Sequence, residues 1–131
     1  MQPFILNATD TTPTIVFDPA KNNFEITGES RPENTRAYYE PVFSWIKKYA
    51  ASLTDVKNMP PIILLVQLDY FSSTSAKYIA NLLTQFEAVI KRGRQVQVLW
   101  RYRKEDTQIK ESGEQFQKIL AIPFVFESFE D

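Results

Sequence analysis

Cysteine and histidine are both missing from the 131 residues. Without cysteine there is no disulfide, no thiol nucleophile and no thiolate metal site. Without histidine the chain loses the usual general base at neutral pH and the commonest transition-metal ligand. Glycine is scarce: Gly28, Gly93 and Gly113 stand alone, so no glycine-rich loop able to cradle a phosphate can be written. Neither sign of charge dominates. Lys and Arg number 15 against 16 Asp and Glu, a formal charge of -1, and no global field draws nucleic acid or acidic lipid. The longest apolar run, residues 62–66, is too short to cross a bilayer, and the N-terminus has no signal-peptide pattern. These features predict a cytoplasmic protein with no nucleic-acid partner, no membrane insertion, no metal and no cofactor. An enzyme would have to work with carboxylates, Lys or Tyr.

What is present suits a folded chain. Hydrophobic residues make up 44% and aromatic residues 14%, and the length predicts a single domain over residues 1–131. "PFILNA", "TIVFD" and "FEITG" read as short strands, the last two paired antiparallel because "DPAKNN" is too short for a crossover. "ESRPENTRAYYEPVFSWIKKYAASL" shifts to a helical period, with Tyr38, Val42, Trp45, Ile46, Tyr49 and Leu53 on one stripe. Ser30 is its expected N-cap, with Pro32 and Glu33 in the first turn, and Pro41 predicts a kink or a break.

"PPIILLVQL" reads as a strand covered on both faces or nearly so. From near Ala76, residues Ile79, Leu82, Leu83, Phe86 and Ile90 define a second helix that Gly93 should close. "VQVLWRY" is a strand with Val96, Val98, Trp100 and Tyr102 on one side. "KEDTQIKESGEQFQKIL" follows as a more polar helix and "IPFVFESF" as a last strand. Such alternation implies right-handed crossovers and parallel pairing. The predicted fold is mixed α/β: a small mixed sheet with N-terminal antiparallel strands, a βαβαβ C-terminal part, and helices packed on the sheet.

The run Ser72, Ser73, Thr74, Ser75 lies at the carboxyl end of a parallel strand, where function collects in open α/β sheets. The plainer reading is that Ser72 or Ser73 caps the helix and the others are tolerated in its first turn. Yet capping needs one oxygen, not four. Lys77, four residues after Ser73 and so on its face, opposes the helix dipole unless an anion visits. A phosphate there would meet free N–H groups and add roughly -1.5 to -2 charges. Tyr70 and Phe71 form an aromatic lip if exposed, and ordinary core if not. Elsewhere the plainer readings hold. The arginines of "RGRQVQVLWRYRK" face solvent or pair with the "ED" just after them; Glu105, Asp106, Glu111 and Glu114 form a solvated helix face; Trp45 and Trp100 belong to the core.

"GESRPENTRAYYEPVFSWI", "LDYFSSTSAK", "VQVLWRYRKED", "ESGEQF" and "IPFVF" together resemble the SiaC family of bacterial regulatory phosphoproteins, from about Phe24 to Phe126. The resemblance implies a STAS-like fold akin to anti-sigma-factor antagonists, and a non-catalytic protein that acts by partner switching. It implies a Ser/Thr protein kinase that phosphorylates a hydroxyl at this helix start and a metal-dependent phosphatase that removes the phosphate. The unmodified form would bind and activate a diguanylate cyclase. The family's acceptor threonine aligns with Ser73, and Thr74, the threonine of this run, is the alternative acceptor. Tyr70, Phe71, Ser72, Thr74 and Lys77 form the expected partner-docking surface around it. The competing reading is a small-molecule-binding or weakly catalytic α/β domain that uses Asp69, Tyr70 and Lys77.

Overall fold

The computed structural model describes residues 1–130. Its strands are β1 (Phe4–Leu6), β2 (Thr14–Asp18), β3 (Asn23–Ser30), β4 (Ile62–Phe71), β5 (Val96–Arg103) and β6 (Phe124–Phe129). Its helices are α1 (Thr35–Ser52), α2 (Ser73–Lys91) and α3 (Thr107–Ile119), with a 3₁₀ turn at Val56–Asn58. The strands lie side by side in sequence order. β1, β2 and β3 pair antiparallel, as the short connections require, and β3 through β6 pair parallel.

Each helix links one strand to the next in the same direction across the sheet. Right-handed connections then carry all three helices to one face. On that face Phe17, Phe24, Leu64, Val98 and Phe124 form a buried row from β2 to β6. Phe24 meets Trp45 and Tyr49 of α1 and Phe86 of α2, while Trp100 of β5 meets Phe116 of α3. Both tryptophans are core residues, as expected. Among the described residues no helix lies over the opposite face, and Ile63 and Val125 there are 43% and 42% exposed. The expectation that "PPIILLVQL" is covered on both faces is therefore overturned: consecutive strand order leaves one side of the sheet open.

Ser30 does not cap α1. It closes β3, and Asn34 caps the helix instead, its Oδ1 accepting from the Ala37 amide at 3.0 Å. Pro32 and Glu33 lie in the connection before it. α1 runs unbroken through Pro41. Pro41 and Ala37, whose carbonyl loses its helical partner, are both exposed, which leaves that carbonyl open to solvent and not buried without a partner. Gly93 closes α2 as expected, with φ +102. Glu105, Glu111 and Glu114 are exposed, but Asp106 caps α3, accepting from the Ile109 amide at 3.0 Å. The arginines also sort differently from expectation. Arg101 pairs with Glu127 at 2.8 Å, Arg103 with Asp69 at 3.2 Å, and Arg94 is buried. Among the described residues no helix is long and apolar enough to cross a membrane.

Candidate functional site

The site is built where β4 ends and α2 begins. Gly28 of β3 stands opposite Leu68, but Glu29 stands opposite Tyr70, so Asp69 is one extra residue in β4. Gly28 accommodates this irregularity with φ +110. A bulge re-aims the side chains that follow it. Strict alternation from buried Leu68 would turn Tyr70 inward and Phe71 outward; the extra residue reverses both. Tyr70 is 50% exposed. Phe71 turns toward the core, stacked on Phe116 with ring centroids 6.1 Å apart and edge-on to Trp100 at 6.4 Å. Of the expected aromatic lip, Tyr70 is the solvent-facing member.

The four hydroxyls separate cleanly. Ser72 is the N-cap: its Oγ accepts from the Ser75 amide at 3.1 Å, and its own amide donates to the Ser30 carbonyl at 2.9 Å. Ser75 is fully buried. Its Oγ lies 2.9 Å from Ser30 Oγ, which lies 2.6 Å from the Tyr39 hydroxyl. Burial pushes the Tyr39 phenol up to about 12, partly offset by its bond to Ser30, so at neutral pH it stays protonated. This buried chain of hydroxyls ties β3, α1 and α2 together at the turn.

Ser73 and Thr74 are exposed. Among the described residues neither their hydroxyls nor their backbone amides have a hydrogen-bond partner. Lys77 is also exposed and forms no ion pair among the described residues. Because α2 starts at Ser73 and not near Ala76, Lys77 is the fifth helical residue and belongs to the second turn. It still shares a face with Ser73. The turn thus presents two free hydroxyls, two free amides at the positive end of a helix dipole, a cation and an exposed tyrosine. Chemically this is a place that can accept and hold a phosphate.

Asp69, Tyr70 and Lys77 are not joined by hydrogen bonds among the described residues; Asp69 is held by Arg103 instead. Sequence reasoning missed the Asp69 bulge and the Ser30–Tyr39–Ser75 chain. An isolated glycine inside a strand, Gly28, was the one signal for the first.

A family profile described as SiaC family regulatory phosphoprotein matches residues 6–129. An uncharacterized protein of Pseudomonas aeruginosa (strain UCBPP-PA14) is 25% identical over 123 residues, 94% of either chain. The crystal structure of apo-SiaC from Pseudomonas aeruginosa superposes with a TM-score of 0.79 at 24% identity, covering 98% of this chain and 100% of that one. A chain in the crystal structure of diguanylate cyclase SiaD in complex with its activator SiaC, from the same organism, gives 0.82 at 25% identity, covering 96% and 99%. With the family profile spanning residues 6–129, this chain belongs to the SiaC family of regulatory phosphoproteins.

Proposed function

We propose that this protein is a non-catalytic, cytoplasmic regulator that works by partner switching. A Ser/Thr protein kinase phosphorylates Ser73, a metal-dependent phosphatase reverses it, and the unmodified form binds and activates a diguanylate cyclase. The observation that carries this reading is the division of labour in the hydroxyl run. Ser72 and Ser75 are committed to the fold, and Ser73 and Thr74 are exposed beside two unused amides and Lys77. Membership of the family supports it, as does the likeness to a chain of the SiaD–SiaC complex.

Phosphate on Ser73 gains from the dipole, from the amides and from Lys77 without displacing the cap or the buried hydroxyls. A partner that covers the turn with apolar or acidic surface must then desolvate a near-dianion. That costs on the order of several kcal/mol, enough to weaken binding by orders of magnitude. The modification is a local repulsion and asks for no change of fold.

Mass spectrometry after incubation with the cognate kinase tests the assignment. Phosphate is expected on Ser73, and Ser73→Ala is expected to stop incorporation while leaving affinity for the cyclase intact. Phosphate on Thr74 moves the acceptor by one residue; none within residues 72–77 removes the switch altogether.

A further inference from the structure

Arg94 stands at the other end of the sheet, roughly 30 Å from the hydroxyl turn by the length of a ten-residue strand such as β4. Its side chain is buried, at 4% exposure. Nε donates to the Pro60 carbonyl at 3.1 Å, one terminal nitrogen donates to the Tyr49 hydroxyl, and the other donates to Asn22 Oδ1 at 2.8 Å. All three acceptors are neutral, and Arg94 forms no ion pair among the described residues. A guanidinium has five N–H donors, so two are left over. A buried cation without a counter-charge is unfavourable.

The end of α1 does not supply that counter-charge, because another residue answers it. The Ala51 and Leu53 carbonyls accept from Arg92 at 3.1 and 2.9 Å. Next to Arg94 is a cavity of about 380 Å³. Asn22, Tyr49 and Thr54 give it polar walls, Ala20 and Met59 apolar ones, and among the described residues no acidic one lines it. Asn22 sits with φ +51, a left-handed turn that asparagine tolerates and that carries its amide to Arg94. The volume falls in the range of small-ligand sites.

We propose that Arg94, Asn22 and Tyr49 form a binding site for a small organic carboxylate. Among the described residues Arg94 is the one charged side chain lining the cavity, and its single positive charge matches a monoanion. The two spare N–H groups match the two oxygens of a carboxylate, and the apolar walls match a hydrocarbon body. A phosphate dianion would bring a second charge that no other lining side chain answers. The site is independent of phosphorylation and gives the protein a second input.

The test titrates acetate, hexanoate and benzoate into the full chain, with benzamide and inorganic phosphate beside them. The readouts are the Arg94 side-chain N–H resonance and the thermal midpoint. At least one of the three carboxylates is expected to shift that resonance saturably and to raise Tm, as a ligand of the folded state must. Benzamide, without the charge, is expected to bind at least about tenfold more weakly than benzoate. Ala20→Leu, on an exposed turn and outside the hydrogen bonds of Arg94, is expected to fold normally and abolish the shift; Ser73→Ala is expected to leave it unchanged. No saturable shift with any carboxylate overturns the proposal and makes Arg94 a structural staple only. Binding that survives Ala20→Leu, or that favours phosphate over all three carboxylates, overturns it equally.

Discussion

Ser75 carries the same hydroxyl as Ser73, two residues away, but at 0% exposure it is out of reach of a kinase. Its role is to receive the hydrogen bond from Ser30. Ser75→Ala leaves that buried partner unsatisfied and is expected to cost about 1–3 kcal/mol in urea denaturation, with phosphate incorporation unchanged. Tyr39→Phe removes only the outer member of the chain, and a smaller loss of about 0.5–1.5 kcal/mol is expected by the same measurement. Equal losses would mean that the three hydroxyls do not act as a chain. Ser73→Asp should copy part of the phosphate's effect on partner affinity, because it brings one charge and fewer oxygens. The sequence shows four hydroxyls in a row and says that one caps and another is spare. It cannot say which, because Ser30, the residue that sorts them, is 45 positions from Ser75.

Among the elements, α3 is held to the sheet by few side chains, and Gly113 is one of its contact points. A Cβ built there lies 2.5 Å from Nε1 of Trp100, the same nitrogen that donates to the Ile109 carbonyl at 2.9 Å. Gly113→Ala gains about 1 kcal/mol in helix propensity but must displace a buried indole, an overpacking cost of about 1–3 kcal/mol. A net fall in Tm with altered tryptophan fluorescence is expected; a rise in Tm would show that α3 can slide away at little cost. Most elements were legible in the sequence, since the periods of 2 and 3.6 come straight from side-chain burial on strand and helix. β2 coincides with "TIVFD", and the apolar stripes of α1 and α2 are largely the predicted ones, except that Tyr39 and Val89 are the buried residues where Tyr38 and Ile90 were expected. Two junctions were not legible. The start of α1 moved from Ser30 to Asn34, because both can cap and only burial separates them. The bulge at Asp69 exchanged the directions of Tyr70 and Phe71, and a register shift is a property of two strands, not one.

For the whole molecule, tyrosine sets the response to alkaline pH. Burial raises the phenols of Tyr38, Tyr39 and Tyr49 above their ordinary value near 10, Tyr39 to about 12. The unfolded chain therefore releases these protons first as the solution turns alkaline. Their contribution to stability is complete below about pH 10 and is lost as pH climbs through about 12. With no histidine in the chain, the usual titration between pH 5 and 8 has no side chain to carry it. Unfolding free energy measured by denaturant at stepped pH is expected to fall on the alkaline side, in step with phenolate absorbance. A loss that precedes phenolate formation would assign alkaline unfolding to other groups. The same scale also separates the hydroxyl turn from Arg94, which lie at opposite ends of the central strands.

The consecutive strand order has a consequence for how the chain is made. Each ladder joins neighbours in sequence, so no strand has to wait for a distant stretch of polypeptide before it can pair. The loops closed at each step are single hairpins or single strand–helix–strand units, which keeps their closure entropy small. The sheet can thus grow from β1 outward while the C-terminus is still on the ribosome, each new strand finding an open edge already in place. Ser30, Tyr39, Ser75 and Arg94 with its acceptors all precede β5. A nascent chain that lacks only α3 and β6 already holds every residue of both the hydroxyl chain and the Arg94 cluster.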